Sequence, residues 1–185
     1  MIDASTIAIK SRIASEIPQQ LAKAGVPLSG KTLLDVGSGL GYNAKEMSDA
    51  GADVHTIEPD SVASEHSKNA GLINPENHTE KTLEEAPELQ LGKFDLATTF
   101  LWNINAGSYH PFLTALAKSI KPDSGKAVIG IHDDLYMNDP YGLAVAPRTK
   151  KYFDNVQVVN TDSAYNRQLL ILSKPKQSVI DSTTV

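Results

Sequence analysis

Leu33-Leu34-Asp35-Val36-Gly37-Ser38-Gly39-Leu40-Gly41 is the stretch whose reading decides the fold. An apolar run from Thr32 to Val36 ends in a glycine loop, and a helix-compatible stretch follows from Gly41 to Ala50 before Gly51 closes it. Glycine lets the backbone turn tightly and lets a ligand approach closely, because no Cβ stands in the way. Backbone N–H groups and a helix N-terminus then converge at the carboxyl end of a strand, the edge at which open α/β sheets bind ligands. A dinucleotide fold asks for Gly-x-Gly-x-x-Gly, with the third glycine allowing close helix–strand packing. Counted from Gly37, that position is the bulky Tyr42. A glycine trio alone also fits a plain tight turn.

Outward from this loop, short apolar runs alternate with helical stretches, the sign of βαβ units around a parallel sheet. On the N-terminal side, Ile9, Ile13, Ile17 and Leu21 form one apolar stripe of a helix over 4–24. Pro18 predicts a kink or a division into two short helices, and Gly25 with Pro27 is a stop signal. On the C-terminal side, Asp53 to Ile57 reads as the second strand, and Asp60 caps a helix running to about Ala70. A short third strand is expected from His78 to Thr82, and a short helix from Glu84 to Leu89.

Phe94 to Leu101 reads as the fourth strand. Tyr109, Phe112, Leu113, Leu116, Ala117 and Ile120 mark an amphipathic helix ended by Lys121-Pro122, and Lys126 to Ile131 is the fifth strand. Residues 134–151 predict a loop with a short helix. Phe153 to Val159 and Arg167 to Ser173 are separated by too few residues for a helical crossover, so they pair antiparallel. The expected fold is α/β: a three-layer sandwich with a seven-strand, mostly parallel sheet, a C-terminal antiparallel hairpin and helices on both faces. Residues 1–27 are expected to form a lid or cap, 28–174 the main domain, and 175–185 a polar, flexible tail.

The 185 residues suit one domain with a substantial core. An apolar fraction of 41% excludes a mainly disordered chain, and no apolar run approaches the roughly 18 residues of a membrane span. The start, Met1 to Thr6, lacks the basic and apolar regions of a signal peptide, and cysteine is absent. There is thus no disulfide framework or thiolate site, and a cytoplasmic location is the expectation. Lys and Arg number 17 against 22 Asp and Glu, a net charge of −5, and the basic residues are scattered. That pattern argues against a nucleic-acid substrate, which calls for clustered cations. The oligomeric state is left open.

Glu58 stands at the end of the second strand, 17 residues after Gly41. A carboxylate there suits the paired hydroxyls of a ribose, and an ordinary exposed strand-end Glu is the plainer alternative.

Taken together, these segments resemble class I S-adenosylmethionine-dependent methyltransferases over about residues 28–173. Leu33 to Gly41 is similar to their first motif, Thr56-Ile57-Glu58-Pro59-Asp60 to the second, and Phe94 to Ile104 to the fourth. Lys121-Pro122-Asp123-Ser124-Gly125-Lys126 resembles their turn before the fifth strand. The resemblance implies S-adenosylmethionine as cofactor and S-adenosylhomocysteine as product. It implies that Gly37, Ser38 and Gly39 hold the methionine part, with Asp35 and Gly41 of the same motif also among the cofactor-binding residues. Glu58 would take the ribose and Pro59 would lie against the adenine. Thr82-Leu83 falls at the adenine edge, with Thr82 in place of the usual Asp, and Phe100 and Leu101 fall at the strand end facing the methionine chain.

Methyl transfer to oxygen or nitrogen can use a base that removes a proton, and whether one acts here is left open. His132, with Asp133 beside it, is the candidate at the end of the fifth strand. Asp133 or Asp134 as a helix cap is the plainer reading. A metal site would need a third acidic element near Asn103, which the sequence lacks, so none is assigned. Trp102, Asn103, Tyr109 and His110 follow the fourth strand, and Tyr42 with the N-terminal helix suggests a lid. The expected activity is methyl transfer to a small molecule. The alternative is a non-catalytic or regulatory module that binds the cofactor and acts through a protein partner.

Overall fold

The computed structural model describes residues 3–100, 109–131, 148–163 and 168–182. The chain divides into two units, residues 1–82 and 83–185. The first unit holds α1 (Ala4–Lys23), β1 (Thr32–Val36), α2 (Tyr42–Asp49), β2 (Asp53–Ile57), α3 (Ser61–Asn69) and β3 (His78–Thr79). Here β1 pairs parallel with β2, and β2 with β3. The second unit holds β4 (Leu96–Thr99), α4 (Tyr109–Ser119), β5 (Lys126–Ile131), β6 (Phe153–Asn160), β7 (Gln168–Pro175) and α5 (Gln177–Ile180). Here β4 pairs parallel with β5, while β5–β7 and β6–β7 are antiparallel. The seven strands run in the order β3-β2-β1 in the first unit and β4-β5-β7-β6 in the second.

Most successive residues of β1, β4 and β5 are buried, although side chains alternate between faces along a strand. Both faces of these strands are therefore covered, as the three-layer α/β arrangement requires. β6 is different: most of its side chains are exposed, as befits the edge strand.

In α1, the Asp3 carboxylate accepts from the Thr6 N–H at 2.9 Å and caps the helix. The buried stripe is Ile13, Ala14, Ile17 and Leu21, whereas Ile9, expected on that stripe, is 50% exposed. Pro18 does not divide the helix, which runs unbroken to Lys23. A helix-interior proline costs about 3 kcal/mol. Fully burying Ile17 and Leu21 on either side contributes about 1.5–3 kcal/mol each, enough to offset it.

The third strand is shorter than its expected span to Thr82, because only His78 and Thr79 find partners on β2. The helix expected over 84–89 is two 3-10 turns, Leu83–Glu85 and Pro87–Leu89. Pro87 disfavours helical geometry in the residue before it, and Ala86 duly sits at φ −118°, ψ 69°. The ladder of β4 is narrower than 94–101, with Phe94 bridging to Ile120. Beyond Lys174, where the polar sequence predicts a flexible tail, the chain extends β7 to Pro175 and adds α5, which packs on α4. The loop and helix expected over 134–151 lie outside the described residues as far as 147. Among the described residues, no helix is long and apolar enough to cross a membrane.

Asp60 caps α3, its Oδ1 accepting from the N–H groups of Val62 at 2.8 Å and Ala63 at 3.2 Å. Asp60→Ala is expected to lower stability by about 1 kcal/mol, read as a shifted urea midpoint with unchanged slope. An unmoved midpoint would show the cap to be energetically idle.

Candidate functional site

The first unit builds its site where β1 and β2 end. Leu33, Leu34 and Val36 are buried in β1, and the chain leaves that strand through the glycine loop. Gly37 (φ 71°) and Ser38 donate their N–H groups to the Ile57 carbonyl at 2.8 and 3.2 Å, tying the loop to the end of β2. Gly39 turns the chain at φ 53°, and none of the described residues stands within 4 Å of where its Cβ would be. Its N–H donates to Glu58 Oε2 at 2.8 Å, while Glu58 Oε1 accepts from the Asp60 N–H at 2.9 Å.

One carboxylate, 9% exposed, thus joins the glycine loop to the start of α3. An ionised carboxyl has about four lone-pair positions, so acceptor capacity remains on both oxygens. Ser38, 5% exposed, has an Oγ with no hydrogen-bond partner among the described residues. A buried hydroxyl of that kind suits a ligand that completes it.

Gly41 has a different role. A Cβ there would lie 2.8 Å from Ser67 Cβ, 3.0 Å from Ile73 Cγ2 and 3.1 Å from Leu72 Cβ. This glycine lets the start of α2 pack against the end of α3, and its φ of 85° is left-handed. Asp35 is buried in β1, opposite Thr56 of β2. Pro59 is exposed beside Glu58, and Thr82 is half-buried at the end of the first unit. Tyr42 opens α2 with its ring tilted against His66, the centroids 6.4 Å apart.

A hydrogen-bonded layer lies behind Glu58. His78, expected only as the start of a strand, has Nδ1 2.8 Å from Thr56 Oγ1 and Nε2 3.0 Å from Ser64 Oγ. Ser64 Oγ in turn lies 3.3 Å from the Glu58 carbonyl oxygen and donates to it. Burial, assisted by the Lys68 ammonium, holds the His78 pKa below the usual imidazole value, against an opposing pull from Glu80. A histidine in a polar run such as Glu76-Asn77-His78-Thr79 carries no sequence mark of these contacts.

In the second unit, Leu83 is buried at the start of a 3-10 turn, and its carbonyl accepts from Gln90 Nε2 at 2.8 Å. Phe100, 9% exposed, directly follows β4. His110 Nδ1 bonds the hydroxyl of Tyr152, whose phenol burial pushes up in pKa. Leu101, His132 and Asp133 lie outside the described residues, as do Trp102, Asn103 and Asp134. Among the described residues, no three His, Asp or Glu side chains gather as a metal site would need.

A family model described as a methyltransferase domain matches residues 8–162. No curated protein sequence matches the chain. Several solved structures share the fold at low identity. The PH0226 protein from Pyrococcus horikoshii OT3 is 14% identical with a TM-score of 0.71, the match covering 91% of each chain. The 1,6-didemethyltoxoflavin-N1-methyltransferase of Burkholderia thailandensis, solved with S-adenosylhomocysteine, is 17% identical with a TM-score of 0.58, covering 90% of this chain and 78% of that one. The T. thermophilus 16S rRNA N2 G1207 methyltransferase, solved with AdoMet and guanosine, is 18% identical with a TM-score of 0.61, covering 94% of this chain and 44% of that one. The matched span takes in both the glycine loop and the Glu58 turn, and the chain belongs to the methyltransferase-domain family: it is a class I, S-adenosylmethionine-dependent methyltransferase.

Proposed function

We propose that the chain methylates an oxygen or nitrogen atom of a small molecule, with Glu58 as the anchor of the cofactor. The observation that carries this reading is the Glu58 carboxylate, held by the Gly39 and Asp60 N–H groups with acceptor capacity to spare for a vicinal diol. The residues fit the cofactor in two further ways. Among the described residues, the space beside Gly39 is open, and Ser38 Oγ is a buried hydroxyl with no partner. Gly37, Ser38 and Gly39 then receive the methionine part. Pro59 lies against the adenine, the Thr82-Leu83 step meets its edge, and Phe100 with Leu101 lines the methionine chain.

The cofactor supplies an electrophilic methyl group when bound. What the protein adds is alignment of the acceptor and exclusion of water. His132 takes the acceptor's proton, with Asp133 tuning it. Residues 1–27, whose α1 packs on α2, act as a cap over this domain. Scattered basic residues and a net charge of −5 favour a small acceptor over RNA, and the absence of cysteine suits a cytoplasmic location. The toxoflavin-precursor enzyme offers a precedent for a small acceptor, and the rRNA enzyme a precedent for the rival class.

Methyl-labelled S-adenosylmethionine, supplied with a small-metabolite fraction and separately with total RNA, tests the reading. Label is expected in the small-molecule fraction. His132→Ala is expected to slow labelling by about a hundredfold while S-adenosylhomocysteine affinity holds. Label in RNA would overturn the acceptor class, and normal turnover would return His132 to a capping role. Cofactor binding without transfer to any pool would favour a regulatory module.

A further inference from the structure

Thr56, His78, Ser64 and Glu58 form one directed chain of hydrogen bonds, and the directions follow from the donors available. Ser64 Oγ has a carbonyl within reach, that of Glu58 at 3.3 Å, and a carbonyl can only accept. The Ser64 hydroxyl proton therefore points to Glu58, which leaves Ser64 Oγ to accept from His78. The proton of a neutral His78 then belongs on Nε2, donating across 3.0 Å. Nδ1 is left as the acceptor for the Thr56 hydroxyl at 2.8 Å.

Both hydroxyl residues are buried, Thr56 at 2% and Ser64 at 0% exposure, so water does not replace these bonds readily. The same short strand also holds Glu58 by its backbone, because the Glu58 N–H donates to the Thr79 carbonyl at 3.1 Å. Glu58 is thus gripped from behind at its N–H and its carbonyl, while its carboxylate grips Gly39 and Asp60 in front.

We propose that neutral His78, with its proton on Nε2, is a positioning residue for Glu58, and that protonating His78 loosens the carboxylate turn and weakens binding of the adenosine-containing cofactor. The binding part of this inference rests on Glu58 holding the ribose. A proton added at Nδ1 turns that atom into a donor facing the Thr56 hydroxyl, which must then swing its own hydrogen away from the ring. The charges bearing on His78 are Lys68 of α3, which opposes its protonation, and Glu80 of its own segment, which favours it. These two pair with each other, and β2 presents the neutral Thr56 hydroxyl. Burial and Lys68 dominate, so the ring gains its proton only below its ordinary value. The sign follows. Because the folded-state pKa is lowered, the favourable state is complete above the unfolded value of 6.5 and is lost as pH falls through the folded one.

The test uses the full chain, labelled with nitrogen-15, in its wild-type, His78→Gln and His78→Phe forms. Imidazole nitrogen shifts are expected to show the Nε2–H tautomer at pH 7. The backbone amides of Gly39 and Asp60 are expected to shift with the His78 titration in the wild type and to stay flat in both variants. A Nδ1–H tautomer, or Gly39 and Asp60 amides indifferent to that titration, would overturn the proposal without any cofactor present. Titration with S-adenosylhomocysteine gives the functional reading. Affinity of the wild type is expected to fall about tenfold on protonation, as expected for the loss of about one buried hydrogen bond. His78→Phe is expected to bind weakly at every pH. His78→Gln, which keeps a donor toward Ser64, is expected to bind nearly as the wild type does at pH 7 and to lack the pH step. A wild-type pH profile matched by His78→Phe would overturn the positioning role. If the amides respond as expected and affinity follows His78 yet ignores Glu58→Ala, the ribose reading of Glu58 fails while the link from His78 to the turn stands.

Discussion

Glu58→Ala is expected to weaken S-adenosylhomocysteine binding by about 3 kcal/mol, roughly a hundredfold. The substitution removes more than the acceptors for a ribose. It strips the Gly39 and Asp60 N–H groups of the carboxylate that now accepts from both, at 2.8 and 2.9 Å. Hydrogen bonds to a charged group are worth about 1.5–3 kcal/mol each, and a buried donor left without a partner costs about 1–3 kcal/mol. The bonds lost at Gly39 and Asp60 are also expected to lower the stability of the free protein, read by urea denaturation, separately from the affinity loss read by calorimetry. Glu58→Gln keeps a carbonyl oxygen but turns the other acceptor into a donor, so it should fall between the two. Affinity unchanged in Glu58→Ala would remove the residue from the cofactor site and leave it a loop brace.

Gly41→Ala is expected to destabilise the fold by about 3 kcal/mol, the sum of a left-handed backbone strain and overpacking. A methyl group there would stand 2.8 Å from Ser67 Cβ, with Ile73 and Leu72 behind it, none of them the far end of a long side chain. Gly39→Ala is the control, since it shares a positive φ but meets open space. It should lose only the strain, about 1–2 kcal/mol. Urea midpoints of the two variants, at equal slope, decide the matter. Equal losses would mean that Gly41 is needed for its backbone angle alone and that the α2–α3 approach tolerates a side chain.

This contrast separates two glycines that look alike on paper. Spacing marks Gly37, Gly39 and Gly41 as one motif, and the resemblance assigns all three to the cofactor. The surroundings give Gly39 an open side and Gly41 a packed one. A motif lists residue types at intervals, and the same type at two intervals can answer to a ligand in one place and to a neighbouring helix in the other.

Elements whose reasons are local were legible in the sequence. β1 and β2 match their expected bounds, since each is closed by a local turn signal, glycine after β1 and Glu58-Pro59 after β2. The pairing of β6 with β7 is antiparallel because the connection is too short for a crossover. Asp60 caps α3 through its own next turn. Where packing competes with local preference, expectation and structure part. Pro18 sits inside an unbroken helix because Ile17 and Leu21 are buried around it, and Ile9 is left in solvent although the four-residue spacing includes it.

The sequence by itself thus determined the α/β class, the strand–glycine–helix turn, a carboxylate at the end of β2 and the final hairpin, since each rests on periodicity or turn chemistry within a few residues. Only the tertiary structure decided that β7 rather than β6 lies against β5, that Glu58 reaches Gly39 across 19 positions, and that His78 bridges 22 positions to Thr56 and 14 to Ser64. Such contacts depend on which strand ends meet. A short window of sequence cannot carry that information, because the partners' identities there are the same whether or not the chain brings them together.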